Sequence, residues 1–284
     1  MIPAAFEYRR ATSVDDAVSV ISTSDGATKI LAGGMSLLPL MKLRLAQPST
    51  LVDIGHLDDL RRIGPTADGG YESGALVTYA QAIATIPLAF ARECLEGIGD
   101  LQVRNRGTLG GAIAHADPAS DLPALMLALD YAAVLRSSRG ERVVPLDGFF
   151  QGPFQTDMAP DEILTALRRP AFPAGAAGSY QKLAQPASGF SIVGVCAVVA
   201  RSGGAISHAR IAITGVGDAP YRAKDAEAEL MGTDGAAASV AAAASHATDG
   251  VRVADDIHAG REYRSNMAVV FTRRAIEAAL GRLA

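Results

Sequence analysis

The chain has few cysteines, no long apolar run and no excess of basic residues. Its two cysteines, Cys94 and Cys196, lie far apart in the 284-residue sequence, so neither a disulfide framework nor a thiolate metal site is indicated. The net charge of −4, with no run of more than two adjacent lysines or arginines, argues against nucleic acid as a partner. No apolar stretch is long enough for a signal peptide or for a bilayer span. These absences predict a cytoplasmic protein.

The composition is that of a folded chain with room for two domains. Hydrophobic residues make up 49% and charged residues 20% of the sequence, which is globular rather than disordered. A chain of this length can bury a sizeable core and divide into two domains. The segment 170–178, which is rich in proline, alanine and glycine, is the candidate boundary between them.

Two double-glycine segments carry most of the functional information. The first is Ala32-Gly33-Gly34-Met35-Ser36-Leu37 and the second is Thr108-Leu109-Gly110-Gly111-Ala112. Each lies at a break in hydrophobic periodicity and precedes a segment predicted to be helical. A strand, a glycine turn and a helix start present several free N–H groups, and the helix dipole adds positive charge, so such a turn suits a phosphate. One such segment is as easily an ordinary turn, whereas two predict a ligand with two phosphates held from both sides.

Other side chains narrow the kind of site. The Thr108 hydroxyl and the Asp121 carboxylate suit a nucleotide, with Asp121 either accepting from ribose hydroxyls or simply capping a helix. Neither glycine segment has the Rossmann or the P-loop spacing, and Ser36 lacks the second glycine of a nucleophile elbow. The histidines show no ligand spacing, and His115, just after the second segment, is the one with a weak case for lying beside a cofactor.

Hydrophobic periodicity predicts a βαβ unit over 27–54, a mixed middle region, and antiparallel strands followed by helices at the end. The predicted strands are 27–32, 51–54, 74–78, 131–136, 141–144, 191–200 and 205–214. The predicted helices are 37–45, 79–86, 88–98, 121–129 with Asp121 as N-cap, 223–231, 236–247 and 263–283.

Further motifs occur in a fixed order along the whole chain. Besides the glycine segments they are Ile2-Pro3, Phe6-Glu7-Tyr8, Met41-Lys42-x-Arg44, Leu51-Val52-Asp53-Ile54, Gln102-Val103-Arg104-Asn105, Ala116-Asp117-Pro118-x-x-Asp121-Leu122-Pro123, Glu162-Ile163-Leu164-Thr165, Tyr180-Gln181-Lys182-Leu183, Arg222-Ala223, Tyr263-Arg264 and Arg273-Arg274-Ala275. In this order they resemble the FAD-binding medium subunit of the molybdenum hydroxylases, in the form found in carbon monoxide dehydrogenase and in bacterial xanthine and N-heterocycle dehydrogenases.

The resemblance implies an α+β fold and a cofactor site. Residues 1–176 would form a PCMH-type FAD-binding domain, with an N-terminal βαβ subdomain and a larger α+β subdomain. Residues 177–284 would form a small domain of antiparallel strands and helices, like the C-terminal domain of the carbon monoxide dehydrogenase flavoprotein. The implied FAD-binding residues are Ile30, Leu31, Ala32, Gly33, Gly34, Met35, Ser36 and Leu37 on one side of the pyrophosphate and adenosine, Thr108, Leu109, Gly110, Gly111 and Ala112 on the other, Asp121 on the ribose, Ile98 and Leu164 against the rings, and Lys182 by the flavin. No general acid, general base or metal ligand is implied for this chain.

The sequence departs from the family pattern in three places. Ala112 stands where the family usually has asparagine, so one side-chain hydrogen bond to the cofactor is lost. Met35 stands where relatives often have histidine or another polar residue. The segment 185–189 follows Lys182 where relatives often show arginine and then aspartate, which leaves the role of Lys182 open.

In the implied complex, substrate is oxidised at a molybdenum cofactor of a large subunit, and electrons pass through two [2Fe–2S] clusters of a small subunit to the FAD of this chain. The FAD then reduces an external acceptor. Two cysteines cannot ligate even one such cluster, which needs four, so the clusters belong on a partner. A dimer of heterotrimers in the cytoplasm is expected, with peripheral membrane contact through the acceptor as an open alternative.

Two other functions stay open. A self-sufficient flavin oxidase of the p-cresol-methylhydroxylase or vanillyl-alcohol-oxidase type would need an acid–base cluster, and none is evident in the sequence. An assembly subunit that has lost FAD is suggested by Ala112 and by the altered segment after Leu183. The substrate of the complex and the electron acceptor are not identified by this chain, because the substrate pocket lies on another subunit.

Overall fold

The computed structural model describes residues 2–24 and 26–283. Its strands in this part of the chain are β1 (Glu7–Arg10), β2 (Thr28–Leu31), β3 (Thr50–Asp53), β4 (Ile63–Pro65), β5 (Tyr71–Gly74), β6 (Ala132–Ser137), β7 (Gly140–Pro145), β8 (Phe150–Gly152), β9 (Gln155–Thr156), β10 (Ile163–Arg169), β11 (Ala177–Ala184), β12 (Ser191–Ser202), β13 (Ala205–Thr214) and β14 (Tyr221–Arg222). Its α-helices are α1 (Val14–Ser22), α2 (Leu37–Lys42), α3 (Tyr79–Thr85), α4 (Ala89–Glu96), α5 (Leu101–Arg106), α6 (Leu109–His115), α7 (Asp121–Ala128), α8 (Lys224–Leu230), α9 (Ala237–Ser245) and α10 (Arg261–Leu280).

The first unit is a parallel three-stranded sheet in the order β1-β3-β2. Strands β2 and β3 with α2 between them form the predicted βαβ unit, and α1 supplies a second crossover. Parallel pairing places the carboxyl ends of all three strands at one edge of the sheet. Helix α2 ends at Lys42, three residues short of the predicted Leu45, because Arg44 turns the chain with a left-handed φ of 59°.

The second unit is an antiparallel sheet in the order β4-β5-β10-β6-β7, on which helices α3, α4, α6 and α7 pack around a large apolar core. The predicted hairpin of β6 and β7 is present, with Gly140 at a φ of 115° in its turn. The predicted strand 74–78 is wrong, because β5 ends at Gly74. A Cβ on Gly74 would lie 2.3 Å from the carbonyl oxygen of Leu60, and the residues after it are buried in a turn instead.

The third unit is an antiparallel sheet in the order β11-β12-β13-β14 with α8, α9 and α10 on one face and α7 of the second unit on the other. Along β12, Val195 and Ala197 face the carboxy-terminal core, while Cys196 and Val198 join the core of the second unit. Because side chains alternate across a strand, this sheet is buried on both faces. The second and third units therefore share one apolar interface.

The predicted antiparallel strands 191–200 and 205–214 and the three helices after them are present, each within a few residues of its expected bounds. The mixed α/β fold is confirmed. None of the helices built from the described residues is both long and apolar enough to cross a membrane.

Candidate cofactor site

A cleft of about 370 Å³ opens at the carboxyl edge of the parallel sheet. Ligands of open α/β sheets bind at this edge, beyond the ends of the strands. The cleft is lined by the ends of β1, β2 and β3 and by the connection between α5 and α6. Its lining residues are Tyr8, Arg10, Leu31, Ala32, Gly33, Asp53, Gly55, His56, Arg61, Leu76, Thr78, Asn105, Arg106 and Thr108.

The first glycine segment offers a row of free main-chain donors beside this cleft. Within the described residues, none of the five amides of residues 33–37 has a hydrogen-bond acceptor. Gly34 has a φ of 79°, and Ser36 occupies the N-cap position of α2, but its hydroxyl accepts no capping hydrogen bond from a described backbone N–H. Free N–H groups of this kind need a partner such as an anion or water. This part of the predicted site is therefore able to bind a phosphate.

The first glycine segment lies against the connection that leads into the second. A Cβ on Gly33 would be 2.0 Å from the carbonyl oxygen of Arg106 and 3.2 Å from the Cα of Gly107. Only glycine allows so close an approach of two backbones. The connection that leads into the second segment thus forms one wall of the cleft, and Thr108 is among the lining residues.

The second glycine segment differs from its prediction. It follows helix α5 rather than a strand, and its amides are already bonded within the protein. Leu109 N–H donates to the Val77 carbonyl at 2.9 Å, and Gly110 N–H to the Ala75 carbonyl at 3.0 Å. Gly111 N–H donates to the Oγ1 of Thr108 at 3.2 Å, which caps α6. The prediction of a second row of free amides is wrong, because a turn about 35 residues upstream accepts hydrogen bonds from two of them and the Thr108 hydroxyl accepts from the third.

Asp121 joins the second and third units. Ser120, not Asp121, is the N-cap of α7, and the Asp121 carboxylate points to the third unit instead. It accepts hydrogen bonds from the hydroxyl of Tyr180 at 2.6 Å, the hydroxyl of Ser191 at 2.7 Å and the ammonium of Lys182 at 2.8 Å. The side chain of Asp121 is 5% exposed and that of Lys182 is 14% exposed. A buried carboxylate with three donors is a fully paired charge.

Two groups near this carboxylate, the Tyr180 phenol and the Cys94 thiol, stay protonated. Burial, and next the charge of Asp121, raise the pKa of the Tyr180 phenol well above its ordinary value. The same two causes raise the pKa of the Cys94 thiol. Neither group therefore offers a free base near neutral pH.

Two further predicted residues lie in the second unit, outside the cleft. Ile98 follows α4 and is partly buried against the core, next to Gly97, whose carbonyl accepts from Lys182 at 3.3 Å. Leu164 is 4% exposed in β10, opposite Leu135 of β6. The structure thus brings Leu31, Ala32, Gly33 and Thr108 together in the cleft. It places Ile98, Asp121 and Lys182 in a second cluster, and Leu164 in the core.

The remaining predicted residues adjoin one of these groups. Ile30 lies in β2 and packs against the core of the first unit, while Met35, Ser36 and Leu37 follow directly after the glycine pair. Ala112 is partly exposed in the first turns of α6, and its amide donates to the carbonyl of Thr108 at 3.1 Å.

Several residues of the cleft were missed at the level of sequence. They are Arg10 at the end of β1, His56 and Arg61 after β3, and Asn105 and Arg106 at the end of α5. Their position in the sequence could have identified some of them, because residues that directly follow parallel strands meet at one edge of the sheet. This identification depends on strand order, which the sequence pattern did not supply.

The residues of the cleft fit the diphosphate of a dinucleotide. Gly33 begins the row of amides that have no acceptor among the described residues, three guanidinium groups line the walls, and glycine allows the backbone to approach closely. Such a set of donors binds phosphate oxygens. Fold and cleft together define a nucleotide-binding α+β protein with a small appended domain.

Comparison with known families gives this class a name. A family described as the FAD binding domain in molybdopterin dehydrogenase matches residues 4–172, and a family described as the CO dehydrogenase flavoprotein C-terminal domain matches residues 178–279. The chain belongs to the family of FAD-binding medium subunits of the molybdenum hydroxylases. The predicted family, the FAD cofactor and the assignment to an oxidoreductase complex are confirmed.

Individual relatives match along their whole length. The chain is 38% identical to the carbon monoxide dehydrogenase medium chain of Hydrogenophaga pseudoflava over 289 residues, covering 100% of both chains. It is 35% identical to the nicotine 6-hydroxylase medium subunit of Paenarthrobacter nicotinovorans, covering 96% of each. The fold superposes on a solved chain of the Hydrogenophaga pseudoflava carbon monoxide dehydrogenase with a TM-score of 0.96 at 40% identity and full coverage of both.

Proposed function

We propose that this chain is the FAD-carrying electron-transfer subunit of a molybdenum hydroxylase complex. Electrons would come from the [2Fe–2S] clusters of a small partner subunit and leave to an external acceptor. Substrate would be oxidised at the molybdenum cofactor of a large subunit. Bound FAD can take up electrons singly and release them singly or in pairs, which is the chemistry that the cofactor supplies. The residues of this chain bind the cofactor, orient it and exclude water from it.

The observation that carries the proposal is the row of five amides at residues 33–37, which have no acceptor among the described residues and begin at Gly33, a lining residue of the cleft between the first two units. In the proposed site, residues 30–37 line the pyrophosphate and adenosine. Thr108 lines the opposite side with its hydroxyl, and residues 109–112 support it. The two departures Met35 and Ala112 belong to these two segments, so we expect weaker FAD binding than in relatives with polar residues there.

The second cluster is proposed to lie toward the ribose and the flavin. Ile98 and Leu164 would contribute apolar contacts there, and Lys182 a cation. Asp121 already accepts three hydrogen bonds, and a carboxylate has room for about four. A ribose hydroxyl would therefore be its last partner. The pairing with Asp121 supports a fixed position for the Lys182 ammonium, despite the altered segment that follows it.

We also propose the assembly and its location. The relatives named above are medium subunits, which supports large and small partner subunits for this chain, as a dimer of heterotrimers in the cytoplasm. Membrane contact would be peripheral, through the acceptor. The boundary between the FAD domain and the C-terminal domain is proposed at residues 176 and 177, just before β11 begins.

The test uses the chain expressed with its partner subunits. Purified complex should carry one FAD per copy of this chain. After the flavin is removed, substrate should still bleach the absorption of the iron–sulfur clusters, but reduction of an added acceptor should stop. Added FAD should restore acceptor reduction. A flavin-free complex that reduces the acceptor at the original rate would refute the proposal.

The two alternatives have their own outcomes in the same preparation. Turnover of a small alcohol or hydroxy acid by this chain without its partners would identify a self-sufficient oxidase. Absence of flavin absorbance together with failure to take up added FAD would identify an assembly subunit. Uptake of FAD without turnover by the chain alone is the result that we expect.

A further inference from the structure

The loop that joins α4 to α5 presents four successive carbonyls, and two cations from two units of the fold hold them. The Nη1 of Arg104 donates to three of them at 2.8 to 3.0 Å, those of Glu96, Ile98 and Gly99. The ammonium of Lys182, from the third unit, donates to the remaining carbonyl, that of Gly97, at 3.3 Å. The last carbonyls of a helix have no partner within the helix, and a cation at that end is favourable. The two side chains therefore fix the course of this loop.

The sequence of the loop suits this arrangement. Gly99 has a left-handed φ of 54°, and a Cβ there would lie 2.8 Å from the Cγ1 of Val103. Asp100 then caps α5, since its carboxylate accepts from the amide of Val103 at 2.8 Å. Glycine supplies the backbone conformation and aspartate begins the next helix. This turn allows Arg104, in the last turn of α5, to reach back to the end of α4.

Helix α5 connects the loop to the cleft. It runs from Leu101 to Arg106, which makes it about 9 Å long. The loop 96–99, which Lys182 contacts, precedes its start. At its end, the carbonyl of Arg106 lies against Gly33, and the side chains of Asn105 and Arg106 line the cleft. One short helix thus separates the cleft from the second cluster, and Arg104 ties the end of that helix to the loop before its start.

The second cluster constrains the same loop from the other side. Lys182 also donates to the Asp121 carboxylate at 2.8 Å, and its side chain is 14% exposed. A displacement of the loop would break the bond from Lys182 to Gly97 and would move Ile98 with it. A ligand that contacts both the cleft and the second cluster therefore meets two groups of atoms at a set separation.

We propose that Arg104 is a positioning residue that sets the distance between the cleft and the second cluster, and thereby the preference of the site for a complete dinucleotide. Arg104 does not line the cleft, and it acts through the loop 96–99 and Lys182. Adenosine diphosphate occupies the cleft alone, whereas the flavin end of FAD extends to the second cluster. This inference rests on the proposed function, because that function places the flavin there.

The experiment uses the full chain in complex with its partner subunits, after the flavin has been removed, and measures binding of FAD and of ADP by calorimetry. The wild type should bind FAD more tightly than ADP. Arg104→Gln should weaken FAD binding roughly 5- to 20-fold, the scale of one or two lost hydrogen bonds, and should change ADP binding less than about twofold. Arg104→Lys keeps a cation at the end of α4 and should recover most of the lost FAD affinity.

Two further variants test the same loop. Lys182→Met should also weaken FAD binding without changing ADP binding, and combined with Arg104→Gln it should add less than its own loss, because both side chains hold one loop. Gly99→Ala, which forces a side chain into a left-handed φ, should reproduce the pattern of Arg104→Gln. Gly99→Ala and Arg104→Lys keep the inference testable if Arg104→Gln does not fold.

Arg92→Gln is the matched control. Arg92 is half-buried in α4, and its Nη1 donates to the carbonyl of Ile86 at 3.2 Å, which is the same kind of bond outside both the loop and the cleft. This variant should bind FAD and ADP as the wild type does. Its thermal midpoint, compared with that of Arg104→Gln, shows how far a loss of stability alone changes binding.

The outcomes separate this inference from the proposed function. Failure of the wild-type complex to bind FAD would refute the proposed function. If the wild type binds FAD but Arg104→Gln weakens FAD and ADP by the same factor, the role of Arg104 is general stability and the inference alone is overturned. Unchanged FAD binding in Arg104→Gln, or equal wild-type affinity for FAD and ADP, would also overturn it.

Discussion

Removal of the Asp121 carboxylate should destabilise the contact between the second and third units. The carboxylate is buried and holds the Tyr180 hydroxyl, the Ser191 hydroxyl and the Lys182 ammonium. In Asp121→Ala the ammonium, 14% exposed, would be left without its counter-charge. Breaking a buried ion pair on one side costs about 3–5 kcal/mol. Asp121→Asn should cost less, since its amide oxygen still accepts from one hydroxyl.

The measurement is urea unfolding of the full chain, followed by circular dichroism and by tyrosine fluorescence. With a slope of about 3 kcal/mol per molar urea, a loss of about 3 kcal/mol lowers the midpoint by about 1 M. Coincidence of the two probes tests whether the transition is two-state. The control is Asp15→Ala, which breaks an ion pair with Arg136 across two elements but at a site that is 76% exposed. That variant should lose no more than about 1 kcal/mol.

A double-variant cycle separates the ion pair from simple loss of volume. Lys182→Met combined with Asp121→Ala leaves no unpaired charge, so the double variant should be more stable than the sum of the two single losses implies. Strict additivity, or a midpoint for Asp121→Ala equal to that of Asp15→Ala, would refute the reasoning.

Three other predictions concern the packing at Gly110, the charge of Glu162 and the contribution of position 112 to FAD binding. Gly110→Val should cost about 1–3 kcal/mol by overpacking, because a Cβ there would lie 2.5 Å from the Cβ of Ala75; the urea midpoint measures it. Hydrogen bonds from Arg142 lower the pKa of the Glu162 carboxyl below its ordinary 4.5, so the stability that this group adds is present above pH 4.5 and is lost as the pH falls through the folded pKa. The urea midpoint of Glu162→Gln should therefore fall less than that of the wild type between about pH 5 and about pH 3. Ala112→Asn should tighten FAD binding by about 0.5–1.5 kcal/mol in a calorimetric titration.

Each of these has a control on the same chain. Gly64→Ala should be within about 0.5 kcal/mol of the wild type, since no atom lies within 4 Å of the added methyl. Glu277→Gln, at a half-exposed site, is the control for Glu162→Gln. Ala114→Asn, exposed on the same helix as Ala112, should leave FAD affinity unchanged. A variant that behaves as its control would contradict the corresponding prediction.

The local parts of the fold were predictable from the sequence. The βαβ unit, the hairpin at Gly140 and the long antiparallel strands follow from periodicity within about 30 residues, and each is present. The segment 74–78 was predicted to be a strand and is a turn. An apolar run with high strand propensity is buried just as well in a turn that packs on Leu60. Propensity does not distinguish these two ways of burying the same side chains.

The site was predictable only in part, because its pairings are long-range. Free amides after β2 follow from a strand and a glycine turn, and the structure has them. The carbonyls that accept hydrogen bonds from the amides of Leu109 and Gly110 belong to a turn remote in sequence. The partners of Asp121 lie 59 to 70 residues further along the chain. Arg10 and His56 meet at one edge only because β1 and β3 pair in parallel.

The glycine at position 33 affects how such sequences should be surveyed. Its lack of a side chain is required by the adjacent Arg106 carbonyl, whether or not any nucleotide is present. A homologue that has lost electron transfer would still need glycine at this position in order to fold. A glycine at this position therefore does not by itself show that a chain binds FAD, whereas amides without acceptors beside it, seen in a structure, point to a bound anion.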